Sequence, residues 1–279
     1  MRQYIIFTIL LLSGLSVYSQ PTPEQTGSIY YAYPAPPEAY TPAPEGYEPF
    51  YISHYGRHGS RWMTADERYI EVLHVFDSLY QRSELTPLGI DVRKRLQQVW
   101  EDARGKSGNI TPLGERQQRE IAGRMYHNFP QVFRGDAFID ARSSTSLRCA
   151  MSMSYFTERL KELNPALHVD RRAYQRYMDY IAYTSPEGEK FSSGKAPWRR
   201  DFHDFEKKNV RPERLIASLF VNPDAITNQD ALMRGIYWIA ADIQNVDIDV
   251  TFYDIFRYEE LAGIWKTVNA RMYVCNAGA

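Results

Sequence analysis

Half of the chain's sixteen prolines stand between residues 21 and 50, and their placement limits what the start of the chain can become. Proline fixes φ and donates no backbone hydrogen bond, so such a segment cannot run as a helix or as an inner strand. Tyr30, Tyr31, Tyr33, Tyr40 and Tyr47 are spread between the prolines, and their rings suit docking on a folded surface. Residues 21–48 are therefore expected to lie as an extended arm, with the folded domain over 49–279. Further on, proline marks beginnings instead. Thr86-Pro87 and Thr111-Pro112 each place a hydroxyl N-cap before a proline at the first helical position, which predicts helices over 88–103 and 113–128.

The remaining pattern alternates strand and helix. Phe50–Ser53 is a short apolar run that predicts a first strand. Tyr69, Val72, Leu73, Phe76 and Leu79 then recur at helical spacing within 65–80, with Thr64 placed to cap that helix. Asp136–Ala141 predicts a second strand, Ser143–Leu163 a helix after it, and His168–Arg171 another strand. Beyond Tyr183 come Gly/Ser loops and helical stretches near 199–209, 211–220, 228–244 and 257–270, which suit a helical cap over a sheet. The class is α/β. In such sheets ligands sit beyond the carboxyl ends of the strands, and Arg57-His58-Gly59-Ser60-Arg61 follows the first predicted strand directly.

Those five residues place one imidazole between two guanidiniums. A phosphoryl group in transfer spreads charge over its oxygens, and positioned cations lower the barrier by holding them. The planar fork of Arg matches two phosphate oxygens at once, which Lys does not. A His flanked by cations resists protonation and keeps a ring nitrogen free to attack phosphorus. His58 is thus the candidate nucleophile, with Arg57 and Arg61 on the phosphate.

The stretch resembles the Arg-His-Gly-x-Arg-x-Pro signature of the histidine acid phosphatase branch of the histidine phosphatase superfamily, which includes phytases and multiple inositol polyphosphate phosphatases. Met63 stands where many members have Pro. Leu85-Thr86-Pro87-Leu88-Gly89 and Ile110-Thr111-Pro112-Leu113-Gly114-Glu115-Arg116-Gln117 are similar to the family's Leu-Thr-Pro-x-Gly elements, the second to the inositol polyphosphate phosphatase subgroup. Ala141-Arg142-Ser143-Ser144-Thr145-Ser146-Leu147-Arg148-Cys149 is similar to the segment whose first Arg joins the phosphate clamp. The resemblance implies a Rossmann-like three-layer sheet core with helical cap segments near 65–130 and 195–270. It also implies a phosphohistidine at His58 and a phosphate site of Arg57, Arg61, Arg142 and Thr64. Arg148 is open between a phosphate ligand and a partner for an acidic neighbour.

Family members also carry His-Asp or His-Ala-Glu near the C-terminus, which supplies a second imidazole and the proton donor. Neither occurs in that context before Ala279, so the domain is expected to be incomplete. His203-Asp204 sits in amphipathic helical text, not after an apolar strand, and is expected at the surface. The expected function is a phosphomonoesterase acting on phytate-like inositol polyphosphates. The alternative is a catalytically impaired chain that only binds phosphorylated ligands. No cofactor or metal is implied, and the expected partner is a small phosphate ester.

Charge and cysteines add bounds. The net charge of −1 speaks for neither nucleic acid nor a membrane surface as partner. Residues 141–214 hold fifteen Lys or Arg against ten Asp or Glu, whereas 215–279 hold four against eight, so the middle of the chain suits a polyanion. Cys149 and Cys275 permit one disulfide without requiring it. Residues 1–20 combine a basic start, a short apolar run and small residues at its end. That describes a secretory signal peptide, with a signal anchor as the other reading, and predicts a secreted or periplasmic protein that leaves the membrane on cleavage. Gly105-Lys106-Ser107 lacks the spacing and preceding strand of a nucleotide loop, and His54 is expected as a packed strand histidine.

Overall fold

The structure, a computed structural model, describes residues 20–35, 41–181 and 186–276, so the expected leader lies outside the described residues. Three long helices follow the arm: α1 (Glu67–Gln81), α2 (Pro87–Ala103) and α3 (Pro112–Asn128). Strand β1 (Phe138–Arg142), helix α4 (Leu147–Leu163) and strand β2 (His168–Arg172) come next. Helices α5 (Met178–Ile181), α6 (Pro186–Ser192), α7 (Arg199–Asn209), α8 (Glu213–Leu219), α9 (Gln229–Asp242) and α10 (Tyr258–Asn276) complete the chain.

The predicted caps of α2 and α3 form. Thr86 Oγ1 accepts from Gly89 N–H at 3.1 Å, and Thr111 Oγ1 accepts from Gly114 N–H at 3.1 Å, each followed by its proline in the first turn. The apolar stripe of α1 is also as the periodicity requires, with Tyr69, Val72, Leu73, Phe76 and Leu79 all buried. Its start differs from expectation. Helix α1 begins at Glu67, and Asp66, not Thr64, occupies the cap position. The Asp66 carboxylate is engaged elsewhere, as acceptor for the Ser107 hydroxyl.

Two departures concern strands. The segment Phe50–Ser53 is unpaired, with Phe50 92% and Tyr51 72% exposed. An apolar run becomes a strand only where another strand meets its backbone donors and acceptors. The described sheet has two parallel strands, paired from Phe138 opposite His168 to Arg142 opposite Arg172, and α4 joins them as a βαβ unit. Phe138, Asp140 and Arg142 form an exposed face of β1, while Ile139 packs toward a small cluster of Ala122, Phe133, Leu160 and Leu167. The architecture among the described residues is therefore mixed helical with a small parallel sheet, in place of the expected three layers.

The larger core belongs to helices. It gathers Phe76 and Leu79 of α1, Val92 and Leu96 of α2, Leu215 and Leu219 of α8, Ile236 and Ile239 of α9, and Leu261 and Ile264 of α10. The arm joins it in an unexpected form, because Glu24–Tyr30 coils into 3₁₀ helix. The physical reason lies in the proline positions: none falls between Pro23 and Pro34. Tyr30 is buried there, and Tyr237 of α9 donates its hydroxyl to Thr26 O at 2.5 Å.

One contact joins the two predicted motif elements. A Cβ on Gly59 would stand 2.4 Å from Gly114 O, and one on Gly114 would stand 2.2 Å from Ser60 O. The two backbones touch where glycine alone fits. Gly59→Ala and Gly114→Ala are each expected to lower stability by about 1–3 kcal/mol or more in urea unfolding. Gly194→Ala, where nothing lies within 4 Å, is expected to cost nothing measurable.

Candidate active site

The loop that carries His58 is held on several sides. Residues of α3 reach it first: Gln118 Nε2 donates to Arg57 O at 3.1 Å, and Gln117 Oε1 accepts from Ser60 N–H at 2.9 Å. The α3 cap residue Thr111 donates its N–H to Ser60 O at 2.9 Å. From α4, Ser152 Oγ accepts from Gly59 N–H at 3.1 Å and donates to Arg148 O at 2.7 Å. The Gly-Lys-Ser loop serves the same end. Gly108 N–H donates to Met63 O at 2.7 Å, Trp62 N–H donates to Asn109 O at 3.1 Å, and Lys106 lies over the Trp62 ring at 4.8 Å.

His58 itself is half-buried, and its Nδ1 lies 2.8 Å from Gly59 O. A carbonyl oxygen only accepts, so this contact assigns the ring proton to Nδ1 and leaves the Nε2 lone pair free. Burial lowers the His58 pKa to about 4. The Gly59 carbonyl opposes the shift, while the charges of Arg57, Arg61 and Arg148 add to it. The ring is therefore neutral over the mildly acidic and neutral range.

The surrounding cations are held with unequal firmness. Arg57 is exposed and donates from Nη1 to Ile29 O at 3.0 Å, which ties it to the arm. Arg61 is 9% exposed, donates from Nη1 to Trp62 O at 2.9 Å, and lies with its guanidinium 5.0 Å from the Tyr30 ring centroid. The side chain of Arg148, in the first turn of α4, makes no hydrogen bond or ion pair among the described residues, and its Nε is buried without a partner. Gly108 separates Arg148 from Thr64: a Cβ there would lie 3.8 Å from both Arg148 Nη1 and Thr64 Cα. Thr64 is exposed at the edge of this group.

Arg142, expected in the clamp, has an acidic neighbour as partner. Its guanidinium donates to Asp140, from Nη2 at 2.6 Å and from Nε at 3.2 Å, and it rests 4.7 Å from the Tyr177 ring centroid. The third cation whose charge acts on His58 is Arg148, six residues further along the same segment, in the first turn of α4. A position at the end of a strand invites the assignment of Arg142, but its alternation with Asp140 on one exposed strand face gives it a partner of its own. His54 is also placed differently from expectation, on the unpaired segment with its ring stacked on Phe156 at 5.1 Å. His203 and Asp204 are exposed on α7, as expected. Cys149 and Cys275 are free thiols.

Several supporting residues have no site role from sequence alone: Gln117, Gln118 and Ser152 at the loop, and Tyr69, Asp242 and Asn245 beneath it. A sequence signal existed for the glutamines, since they are polar groups on the face of α3 that also presents Gly114 and Ala122 to the interior. Among the described residues no group of three or more His, Cys, Asp or Glu is placed to hold a metal ion, and no helix is long and apolar enough to cross a membrane.

A histidine loop braced by a βαβ unit and a large helical layer is similar in fold to solved phosphatase structures. In particular, the chain is similar to crystal structures of Bifidobacterium longum multiple inositol polyphosphate phosphatase. The complex with inositol hexasulfate superposes with a TM-score of 0.66 at 15% identity, over 88% of this chain and 68% of that one. The apo form gives 0.58 at 16% identity, over 88% and 68%, and the phosphate complex gives 0.55 at 17% identity, over 87% and 67%. At these identities the likeness is one of fold. No family model and no curated protein matches the sequence.

The electrostatic assignment is open to direct measurement. The His58 Cε1–H resonance is expected to titrate near pH 4. Arg148→Met should move that midpoint up toward the ordinary imidazole value, whereas Arg142→Met should leave it in place. Equal effects of the two substitutions would contradict the assignment.

Proposed function

We propose that the chain is a phosphomonoesterase acting through a phosphohistidine on inositol polyphosphates of the phytate kind. The observation that carries the reading is the neutral His58 ring with a free Nε2, set in the field of three guanidiniums. Arg57, Arg61 and Arg148 hold the phosphate oxygens, with Arg148 in the role that the sequence suggested for Arg142. Thr64 borders the mouth and touches substrate there. Nε2 attacks phosphorus, the P–N bond forms and the ester P–O bond breaks. The leaving alkoxide takes a proton from an acid or from water. Water then attacks phosphorus, the P–N bond breaks, and inorganic phosphate and neutral His58 are released.

The substrate class rests on the fold. Its structural counterparts are an inositol polyphosphate phosphatase, crystallised with phosphate and with inositol hexasulfate, and a cluster of guanidiniums suits such polyanions. The leader-like residues 1–20 support secretion or export to a periplasm as the setting.

One observation favours a second reading. Among the described residues the charges acting on His58 are those of Arg57, Arg61 and Arg148, with no carboxylate beside them. A general acid contributes on the order of 10²–10⁴-fold, so a chain without one binds phosphorylated ligands and turns them over slowly. Phosphate release from inositol hexakisphosphate and from p-nitrophenyl phosphate separates the two. The first reading expects turnover of both, lost by roughly 10³-fold or more in His58→Ala. It also expects rates to hold as pH falls toward about 4 and then to drop as His58 takes a proton. Binding of inositol hexakisphosphate without release of phosphate from either compound would establish the second.

A further inference from the structure

The end of α9 and the turn that follows grip the Arg61 segment from the side opposite the loop's α3 contacts. Asn245 accepts the Ser60 hydroxyl at 2.7 Å and donates from Nδ2 to Tyr30 O at 2.8 Å. Three residues earlier, Asp242 is 1% exposed and accepts the Tyr69 hydroxyl at 2.5 Å. The Tyr69 oxygen accepts in turn from Met63 N–H at 2.9 Å. Ser60 and Met63 are thus both fastened to α9, and Arg61 lies between them.

Two buried polar atoms of opposite charge are left over. Arg61 Nε and Asp242 Oδ1 each have no hydrogen-bond partner among the described residues. Native structures leave few such atoms, and each calls for an explanation. Three charged or titratable groups bear on Asp242: Tyr69 from α1, Arg61 from the loop and Asp102 from α2. Asp102 is itself engaged, accepting from Trp62 Nε1 at 2.8 Å and Lys106 Nζ at 3.1 Å. Burial raises the Asp242 pKa to about 7, and the Tyr69 bond and the Arg61 charge pull against that rise.

We propose that Asp242 is a positioning residue for the phosphate clamp, fixing the Arg61–Met63 segment through Tyr69 and setting by its own charge how much of the Arg61 cation is left for an oxyanion. The inference rests on the clamp role of Arg61 and not on turnover. Neutral Asp242 leaves the Arg61 charge uncompensated, whereas ionised Asp242 offsets it within a low-dielectric interior. An anion at Arg61 and a proton at Asp242 therefore favour each other, and by linkage each strengthens the binding of the other. The sign follows: oxyanion affinity falls as pH rises through about 7. His58 changes charge near pH 4 and leaves that window to Asp242.

Sulfate is the probe, because it stays dianionic across the neutral range and contributes no titration of its own. With the full chain at pH 7, calorimetry in buffers of different ionisation enthalpy is expected to show uptake of a fraction of a proton per sulfate bound. The sulfate Kd should weaken about threefold or more from pH 6 to pH 8. In Asp242→Asn that dependence should flatten, and in Tyr69→Phe binding should weaken at both pH values as the segment loses its anchor. If either variant fails to fold, proton uptake by the unsubstituted chain decides. Sulfate binding without proton uptake would overturn the proposal, as would an Asp242→Asn variant with an unchanged pH dependence. Failure to bind sulfate would remove the clamp on which it rests. Proton-linked sulfate binding by a chain that releases no phosphate would leave the proposal standing and sink the catalytic reading alone.

Discussion

The backbone contact between Gly59 and Gly114 fixes the geometry of the rest of the site. A side chain at either position would strike main-chain atoms of the other element, and main chain cannot yield as the end of a long side chain can. Because the two elements touch, Ser60 O can accept from Thr111 N–H at 2.9 Å and Gln117 can meet Ser60 N–H. The residues that cap and begin α3 therefore also hold the His58 loop. A threonine that starts a helix and a glycine three residues on are common features taken singly. Here their spacing makes one turn of helix serve as a cradle.

Charge is the second constraint, and it works against stability. Three guanidiniums gathered near one half-buried imidazole repel one another, and an unpaired buried cation is costly. The structure offsets part of this locally: Arg61 lies over the Tyr30 ring, and Arg57 donates to a backbone carbonyl of the arm. Arg148 keeps no such partner among the described residues. An arrangement of this kind favours whatever brings negative charge to it, because an anion relieves the repulsion among the guanidiniums.

Much of this was legible from residues close together in sequence. Thr86-Pro87 and Thr111-Pro112 located two helices to within a residue, since a cap and a proline act on their own neighbours. The α1 stripe from Tyr69 to Leu79 was likewise readable, and so was the proximity of Arg57 and Arg61 to His58. The departures from expectation have different causes. Phe50–Ser53 carries strand-like text, but pairing is a property of two segments. Arg142, expected in the clamp, donates to Asp140, two positions away on the same strand face, a pairing that strand alternation allows. The 3₁₀ helix at Glu24–Tyr30 was hidden by counting prolines over the whole arm and not the ten-residue gap between Pro23 and Pro34.

The arm and α9 change what the site consists of. Tyr30 supplies the ring beneath Arg61 and Ile29 supplies the carbonyl for Arg57, and the arm is held at Tyr30 O by Asn245, in the turn after α9, and at Thr26 O by Tyr237 of α9. The cations next to His58 are therefore set by segments on either side of the motif by tens to nearly two hundred residues, while the motif supplies only their identity. The consequence is a division of labour along the chain. The βαβ unit contributes Arg148 and Ser152 through α4, and the helical core contributes Asp242, Tyr69 and Asn245 from beneath. A substitution in α9 can then shift the Arg61 segment without touching any of the three arginines, because Ser60 and, through Tyr69, Met63 are fastened at that helix end as well as by α3 and the Gly-Lys-Ser loop.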